Sequence, residues 1–583
     1  MQKALNIWKE AAPWQKIALA LFLLNMFLVF QVFLPGMREI NRWDEATYIQ
    51  SGRLFVEGLW PSVARNPLVA LLYAIFYLIY QNDPFWFLQI TSWGRIVLFC
   101  LLWLSSYLLA RETARYFSPL LILGIGFSVP LFTDILVNPS DALFAITSGL
   151  AFWQLLNLFH THDPRSALRM SVFMALAALS RNDGIILFGV TLLLAGGLLL
   201  KAKAPWHKML LNLLAPFALI VGGYLGAYWA ARGVLEVGTS ERSYVAFVQG
   251  QQLVYRGGDD CKLNKQKCGV LDAYKKFGTP EENNNSILRA ILRNPAEFSR
   301  RIPVILLSLP QTFYDAYGKR SAYLLVIFSL LGVISLIAKK KFTLLTLLLG
   351  WLVYLGVYFA TFFRYGYFQS PFYVTFVLAA FGVDFLMRQI NAPRGYWGAT
   401  ALFGALALIG IAAQLPSLTF SAVTFLGAIA IARIIAISPG KSDWKKSAYT
   451  LGLGIFLMAG LLSRGEFPLL VGRQPGQLPE EQAILYFEEH YPIQTRIAAG
   501  SRAVVEASKM EYFSLLQEYA SVNDSEALYN VLQQAGVEAI YVDSTLSSGN
   551  EYVWKLIEQS IGQHYTLLFS GREGSILILS LQP

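Results

Sequence analysis

Residues 17–48 read IALALFLLNMFLVFQVFLPGMREINRWDEATY, an apolar run followed at once by charged side chains. The apolar part, Ile17 to Leu34, is long enough to cross the roughly 30 Å hydrocarbon layer of a membrane. Asp44 and Glu45 stand at the mouth of this first span, where a carboxylate is costly unless water, a cation or a substrate meets it. The stretch therefore predicts a membrane protein with a polar site beside its first helix.

The composition of the chain is that of a polytopic membrane protein. Of its 583 residues, 55% are hydrophobic and 14% are charged, whereas a soluble domain carries about 25% charged residues. The formal net charge is +10, but the lysines and arginines form short clusters between apolar runs. Such clusters are typical of topology signals, so we expect no nucleic-acid partner. No small-residue cleavage site follows the first apolar run, which predicts a retained span.

Apolar windows along the chain predict an α-helical bundle of about thirteen transmembrane helices. The windows lie at about 17–34, 88–110, 118–133, 142–159, 168–180, 185–200, 209–231, 321–338, 342–362, 371–387, 397–414, 417–436 and 447–463. The run 67–80 is apolar but shorter, and we expect an interfacial or re-entrant helix there.

The distribution of positive charge predicts the orientation of the bundle. If the N-terminus with Lys3, Lys9 and Lys16 is cytoplasmic, every second loop should be basic. Those loops contain Arg111, Arg115, Arg165, Arg169, Lys201, Lys203, Lys208, Lys339, Lys340, Lys341, Arg388, Arg394, Lys441, Lys445 and Lys446. We therefore expect a multi-pass protein of a bacterial inner membrane, with its site and its C-terminus outside the cytoplasm.

The chain divides by composition into a transmembrane domain, 1–463, and a small extracytoplasmic α/β domain, 464–583. The first part contains an external loop at 35–87 and a large polar external loop at 232–302. In the second part, helix-like runs alternate with strand-like ones. Cys261 and Cys268 share the large loop, and a disulfide between them is plausible in an oxidising compartment.

Acids on the predicted outer side are the candidate catalytic residues. Asp44 and Glu45 would point about 100° apart on a helix, so one of them, preferably Asp44, would act as general base toward an acceptor hydroxyl or amine. Asp141 follows Asn138 and Pro139, a helix-start pattern that explains the acid equally well by capping and the helix dipole. Tyr48 and Asp183 are further residues that we expect in the cavity.

Arginines on the same side are the candidate phosphate ligands. Arg42, Arg65, Arg181 and Arg364 lie externally against the usual orientation bias, and guanidinium binds phosphate through paired hydrogen bonds. The alternative for these arginines is interfacial snorkelling. Tyr365 belongs to an aromatic stretch that either forms an interfacial belt or lines a groove for a polyprenyl chain.

The residue types present limit the cofactor chemistry. All five histidines lie away from the predicted cavity, so a histidine-ligated zinc site is not expected there. Any metal would be held by Asp44 or Glu45, whose oxygens suit a divalent cation such as Mg²⁺ or Mn²⁺. No P-loop, dinucleotide fingerprint or nucleophile elbow stands in a suitable context, which favours a donor already activated on a lipid carrier.

Together these motifs resemble those of the GT-C superfamily of polyprenyl-phosphate-dependent glycosyltransferases, in particular the protein O-mannosyltransferase and aminoarabinose transferase group. The matching features occur in order over residues 1 to about 390. They are the acid pair Asp44-Glu45, the Asn66-Pro67-Leu68 helix start, Asp141, the Arg181-Asn182-Asp183-Gly184 turn, and Arg364-Tyr365 with Pro371.

The resemblance implies an inverting transfer of a sugar from a lipid-phosphate donor to a protein, lipid or glycan acceptor on the outer face. Asp44 would be the base, and Arg181 and Arg364 would hold the donor phosphate. Two features depart from the pattern of the family. Asn66-Pro67-Leu68 replaces the basic or histidine-containing segment that is common there, and the histidine that some members use as a metal ligand has no candidate. A lipid flippase or transporter and a non-catalytic subunit of a glycan assembly complex are the alternative functions.

Overall fold

The structure is a computed structural model of the chain, and it describes most of the predicted helices. The described residues are 44–61, 66–83, 85–113, 138–202, 206–233, 240–255, 265–317, 319–361, 366–369, 371–390, 392–437, 479–516, 519, 522–571 and 576–582, with Ala20. The expected windows at 118–133 and 447–463, nearly all of 17–34, and the domain boundary at 463/464 lie outside these ranges.

The described part of the chain up to residue 437 is entirely helical. Its α-helices are α1 (Asp44–Val56), α2 (Pro67–Tyr80), α3 (Trp86–Thr113), α4 (Pro139–Thr161), α5 (Pro164–Ser180), α6 (Asp183–Ala202), α7 (Trp206–Arg232), α8 (Ser240–Gln249), α9 (Lys265–Phe277), α10 (Ile287–Arg293), α11 (Pro295–Ser299), α12 (Arg301–Tyr317), α13 (Lys319–Ala338), α14 (Phe342–Trp351), α15 (Val357–Ala360), α16 (Gly366–Gln369), α17 (Phe372–Ile390), α18 (Pro393–Ala412) and α19 (Pro416–Ile437).

Five helical segments in the described residues are long and apolar enough to cross a membrane. They are Pro139–Thr161, Asp183–Leu200, His207–Arg232, Phe342–Ala360 and Pro393–Ala412. Helices also occupy the predicted windows near 88–110, 168–180, 321–338, 371–387 and 417–436. The fold is thus a polytopic helical one, while the expected number of about thirteen spans stays a prediction.

Helices α4, α5 and α7 pack together in the bundle. Helix α4 is almost wholly buried, and α5 packs against both α4 and α7. Helix α7 contains Pro216, which has no N–H to donate to the Asn212 carbonyl and so weakens the regular helical bonding there. The hydroxyl of Ser171 on α5 supports this turn: it donates to Leu213 O at 2.6 Å and accepts from Phe217 N at 3.0 Å.

Helices α13 and α17 cross with their backbones in direct contact. A Cβ added at Gly332 would collide with the carbonyl of Leu378, and one added at Gly382 would collide with the carbonyl of Phe328. Small residues permit such close approach in membranes, where packing rather than water exclusion drives helix association. The two helices therefore form a tightly packed pair.

Helices α1 and α2, in the segment that the sequence predicts to be external, pack against each other. Helix α2 begins at Pro67 with Asn66 as its N-cap, because proline tolerates the first turn, where its missing N–H is not needed. Leu71, Ile75, Leu78 and Ile79 of α2 are exposed, while Tyr73 is fully buried. This short apolar helix with one exposed apolar face has the length and character expected of an interfacial helix.

The loop between α7 and α12, predicted to be external, has a small hydrophobic core of its own in its described residues. Tyr244, Phe247 and Phe277 are buried in it. The guanidinium of Arg301 lies 4.5 Å from the Phe247 ring and 5.0 Å from the Phe277 ring, and it donates to Gln251 Oε1 at 3.0 Å. Burial lowers the pKa of Arg301 to about 10. In the same loop Cys268 is disulfide-bonded, whereas Cys100 in α3 is a free thiol; Cys261 lies outside the described residues.

The C-terminal part contains the predicted strands within a mixed sheet. Its elements are α20 (Pro479–His490), β1 (Arg496–Ala499), α21 (Arg502–Ala507), β2 (Glu511–Ser514), α22 (Ser525–Gln534), β3 (Ala539–Val542), α23 (Ser544–Gly549), α24 (Glu551–Glu558), β4 (Tyr565–Ser570) and β5 (Leu577–Leu581). The strand order is β2-β1-β3-β5-β4. Strand β1 is parallel to β2 and β3, while β5 is antiparallel to β3 and β4.

The contact between the C-terminal sheet and the helical part of the chain is made by the helix that follows β1. Strand β3 is buried along its whole length, which fits its apolar sequence in the middle of the sheet. Helix α21, between β1 and β2, is buried and packs against α1. The C-terminal part of the chain therefore contacts α1.

Candidate functional site

Arg181 lies in the tight turn between α5 and α6. The turn is closed by hydrogen bonds from Gly184 N to Arg181 O at 3.0 Å and from Ile185 N to Asn182 O at 3.1 Å. Gly184 is required here because a Cβ would lie only 2.6 Å from Ala178 N, so α6 could not approach the end of α5. The turn residues Asn, Asp and Gly thus fold as the sequence predicts, and the arginine is free to point into the bundle.

The guanidinium of Arg181 holds two carboxylates. Its Nη1 contacts Asp141 Oδ1 closely, and its Nε donates to Asp183 Oδ1 at 3.0 Å. Its Nη2 donates to the hydroxyl of Tyr358 at 3.2 Å, and that hydroxyl in turn donates closely to Asp183 Oδ2. The side chains of Arg181 and Asp141 are 15% and 11% exposed, so the group is largely enclosed and still reachable.

The helix pair α4–α5 explains why Asp141 and Arg181 meet. Helix α4 starts at Pro139 after the N-cap Asn138, which places Asp141 in its first turn. The chain then reverses at His162, and α5 returns to end at Ser180. Because the two helices pack side by side and run in opposite directions, the start of one lies beside the end of the other. The helix-start role of Asp141 and its place in the site are therefore compatible.

Aromatic rings surround the arginine. Tyr358 and Tyr367 are stacked with ring centroids 4.3 Å apart and an interplanar angle of 8°. The guanidinium carbon of Arg181 lies 4.9 Å from the Tyr367 ring and 5.7 Å from the Phe144 ring. A guanidinium over an aromatic face gains cation–π attraction, so these rings fix the position of the charge.

The charges in this group are unbalanced. Burial by itself lowers the pKa of Arg181, but the carboxylate of Asp183 more than reverses this, so the pKa lies above its ordinary value and the guanidinium stays charged. One guanidinium faces two carboxylates, and the group of described residues carries a net negative charge. Three of the five N–H donors of Arg181 are used in the bonds named above, which leaves two for a ligand.

Glu45 is held away from this group in a separate buried ion pair. It is 1% exposed, and its Oε2 accepts from Arg95 Nη2 at 2.5 Å. Its Oε1 accepts from Tyr73 Oη at 3.0 Å and from Arg95 Nε at 3.3 Å. Burial raises the pKa of Glu45, and Arg95 opposes that rise. With both oxygens engaged, Glu45 does not fit the catalytic role that the sequence predicts; it ties α1 to α2 and α3.

Tyr48 also differs from its predicted place. It is 3% exposed and lies in the hydrophobic core with Ala46 and Ile49. Helix α1 turns this face inward against α2, so we place Tyr48 in the packing between helices rather than in an open cavity.

The structure describes the remaining predicted site residues only in part or not at all. Asp44 is the first residue of α1, and its side chain lies outside the described part, as do Arg42, Arg65, Arg364 and Tyr365 entirely. Helix α16, which follows residues 364 and 365, packs against α4 and α12.

Arg95, in the buried pair with Glu45, and Tyr358, beside Arg181, were not predicted from the sequence. Arg95 is an arginine inside an apolar window, where a charge is rare and marks a paired group. Tyr358 had only its place near the end of an apolar window, and its contact with Arg181 joins residues 177 positions apart. Pattern analysis has no means of finding that contact.

The described carboxylates do not form a metal site. No group of three or more His, Cys, Asp or Glu side chains comes together among the described residues. Asp141 and Asp183 share a guanidinium, and Glu45 is saturated by Arg95 and Tyr73. A divalent cation prefers several free oxygen ligands, so these residues do not fit one as they stand. Metal binding by Asp44 stays a prediction.

The fold of the chain is shared with solved structures of ArnT (aminoarabinose transferase) from Cupriavidus metallidurans. The apo structure matches with a TM-score of 0.51 at 14% identity, covering 96% of this chain and 97% of that chain. The structure bound to undecaprenyl phosphate matches with a TM-score of 0.51 at 13% identity and the same coverage. The apo oligosaccharyltransferase of Archaeoglobus fulgidus has a TM-score of 0.46 at 13% identity, covering 93% of this chain and 71% of that chain, and does not enter the argument.

No protein-family model matches the chain, and no curated protein is significantly similar to it. At the identities found, the solved structures establish the fold and leave the activity to be argued from the site. The chain therefore has the fold of ArnT, and a small sheet follows its helical part.

Proposed function

We propose that this protein, which has the fold of ArnT, is a glycosyltransferase that moves a sugar from a polyprenyl-phosphate donor to an acceptor outside the cytoplasm. The observation that carries the proposal is the meeting of Asp141, Arg181, Asp183 and Tyr358, polar side chains from three separate segments, at one end of a membrane helix pair. The ArnT structure with undecaprenyl phosphate supports the class of carrier.

In the proposed step, an acceptor hydroxyl or amine attacks the anomeric carbon of the sugar. The bond from that carbon to the phosphate oxygen breaks, and the phosphate leaves with the electron pair. Asp44 receives the proton that the acceptor loses, which is the task of a general base. Attack on the face opposite the phosphate inverts the anomeric configuration. Asp44 is the first residue of α1, and the proposal takes this end of the helix to lie outside the cytoplasm.

Arg181 would bind the donor phosphate with the two N–H groups that the described contacts leave unused. Asp141 and Asp183 fix its orientation, because each accepts from a different nitrogen. Their combined negative charge opposes a phosphate, so this role needs additional positive charge. Arg42, Arg65 and Arg364 are the candidates, and we propose that at least one of them completes the phosphate site.

The stacked pair Tyr358 and Tyr367 would form the wall of the cavity beside Arg181. An aromatic wall offers a flat apolar surface with a hydroxyl at its edge, which suits either the face of a sugar or the first isoprene units of the carrier. The acceptor and the identity of the sugar stay open to experiment.

The test is to incubate the purified full chain with a panel of polyprenyl-phosphate sugars and to measure the release of free polyprenyl phosphate. We expect turnover with at least one donor and a loss of about 100-fold or more for Asp44→Asn, the effect of removing a general base. The matched control is Asp83→Asn. Asp83 lies in the turn between α2 and α3, where it accepts from Phe85 N at 2.8 Å, and it should retain activity.

Two outcomes would contradict the proposal. One is the absence of turnover with every donor of the panel. The other is equal turnover by the wild type and Asp44→Asn, which would leave the reaction without the proposed base.

The proposed orientation has a separate test by cysteine labelling in a background that carries Cys100→Ser. Asn182 and Lys341 are both exposed, and they lie in the turns at the ends of α5 and α13 that we assign to opposite faces. A membrane-impermeant thiol reagent applied to intact cells should label Asn182→Cys and not Lys341→Cys. Labelling of both or of the reverse position would overturn the assignment.

A further inference from the structure

The C-terminal domain contacts the helix that begins with Asp44. Helix α21 packs against α1, and Arg502 Nη1 donates to Thr47 Oγ1 at 3.1 Å, a contact that joins residues 455 positions apart. Val504 and Ala507 of α21 belong to the same continuous hydrophobic core as Ala46 and Ile49 of α1. The C-terminal domain is therefore joined to the first external segment by apolar packing as well as by a hydrogen bond.

Arg502 is held in place by its own domain. Its guanidinium carbon lies 4.8 Å from the Tyr512 ring, and its Nε lies 3.6 Å from Glu506 Oε1. A planar guanidinium that is stacked and paired in this way loses little further freedom when it makes one more hydrogen bond. The residue thus presents a fixed donor to Thr47.

Helix α1 is fixed from two sides. On one side, Glu45 binds Arg95 of α3 and Tyr73 of α2. On the other side, Thr47 accepts from Arg502 of α21. Positions 44 and 47 are three residues apart and so are neighbours on one helix face. The contact with Arg502 is therefore one helical turn from the position of the proposed base.

We propose that α21 is part of the active site and that Arg502 is a positioning residue that sets the place of Asp44 through Thr47. This inference rests on the proposed function. A general base must lie within hydrogen-bond reach of the proton that it removes, and a displacement of about 1 Å costs about 100-fold in rate. The C-terminal domain would then act on the rate of transfer itself, in addition to any role in acceptor choice.

The experiment compares Arg502→Ala with Arg502→Lys and with the control Arg496→Ala in the full chain. Arg496 is the suitable control because it lies on β1 of the same domain, where it pairs with Glu511 at 2.5 Å and bonds to the Ala535 carbonyl. We expect Arg502→Ala to lower kcat by about tenfold or more with the donor KM within twofold. Arg502→Lys should recover part of the rate, and Arg496→Ala should keep it.

A second readout does not depend on activity. Amide hydrogen exchange of residues 44–56 should be faster in Arg502→Ala than in the wild type, and unchanged in Arg496→Ala. Thr47→Val removes the acceptor from the other side, so it should raise the exchange of the same helix, and its effect should not add to that of Arg502→Ala.

The outcomes separate the two proposals. Unchanged exchange of α1 in Arg502→Ala, or an unchanged kcat, overturns the positioning role. An equal fall in kcat for Arg496→Ala also overturns it, because the effect would then be that of a destabilised domain. If the wild type transfers no sugar, the proposed function fails, and the exchange data alone decide whether Arg502 holds α1.

Discussion

The guanidinium of Arg181 contacts the carboxylate of Asp141 although 40 residues separate the two in the sequence. The contact arises because α4 and α5 pack side by side in opposite directions, so the first turn of one meets the last turn of the other. The position of a buried guanidinium between two carboxylates depends on both partners.

We predict that Asp141→Asn lowers kcat/KM for the donor by at least about tenfold, because removing one charged partner lets the guanidinium shift and weakens a charge-assisted hydrogen bond. Steady-state kinetics with the donor identified by the panel would measure the effect. Asp163→Asn is the matched control at the opposite end of the same helix pair: Asp163 caps α5 by accepting from Arg165 N at 3.0 Å, and asparagine caps equally well. Equal activity of Asp141→Asn and the wild type would exclude a functional role for the contact.

The buried pair of Glu45 and Arg95 predicts a strong effect on stability. Replacing Glu45 by Gln leaves the guanidinium of Arg95 buried without its counter-charge, at a cost of about 3–5 kcal/mol. The double variant Glu45→Gln/Arg95→Met should recover a large part of the loss, because it removes the uncompensated charge. Thermal unfolding in detergent would measure both changes, and a double variant less stable than Glu45→Gln alone would contradict this account.

Gly184 predicts a steric effect at the site turn. Alanine there would place a Cβ 2.6 Å from Ala178 N, so the turn must open and Arg181 must move. We expect a loss of about 1–3 kcal/mol in stability together with reduced turnover. Gly189→Ala, on the same helix with no atom within 4 Å of the added Cβ, is the control and should be neutral or stabilising. Similar behaviour of the two variants would show that the close approach at Gly184 is unimportant.

The loop between α7 and α12 should respond to acid through Glu297. The hydrogen bond from Lys276 Nζ, at 2.8 Å, holds the pKa of Glu297 below its ordinary value of 4.5. A carboxylate with a lowered pKa in the folded state contributes stability that is present above 4.5 and lost as the pH falls through the lowered pKa. Limited proteolysis of the loop should therefore accelerate at acidic pH.

Two variants test this pH dependence. Glu297→Gln should make the loop more susceptible to proteolysis at neutral pH and should weaken its acid response. Glu282→Gln is the control, because Glu282 pairs with Arg293 at a half-exposed site and should change little. An unaltered acid response in Glu297→Gln would assign the effect to another group.

The local parts of this structure follow from the sequence. Pro67 starts α2, Asn138 and Pro139 start α4, and the Asn-Asp-Gly turn reverses the chain after Ser180, all as expected from capping and turn preferences. Periodicity and apolar length located the helices because each signal is contained in a short stretch of chain.

The long-range contacts could not be predicted in the same way. Glu45 was expected to face a cavity, but its partner Arg95 is 50 residues away and only the packing of α1 on α3 brings them together. The contact between Arg502 and Thr47 depends on how a separately folded sheet meets the membrane domain. Charge and hydropathy patterns hold no information on such pairings.

The hydroxyl of Ser171 between Leu213 O and Phe217 N has a consequence for how mutational scans of this protein should be interpreted. Ser171→Ala removes a single oxygen, yet it takes a hydrogen-bond partner from one carbonyl and one amide in a helix that already contains a proline. Since the helix that carries Ser171 ends at Arg181, slippage at this proline break would be transmitted to the guanidinium. A screen that scores product formation would then classify Ser171 as catalytic, although its role is to support the backbone of a neighbouring helix.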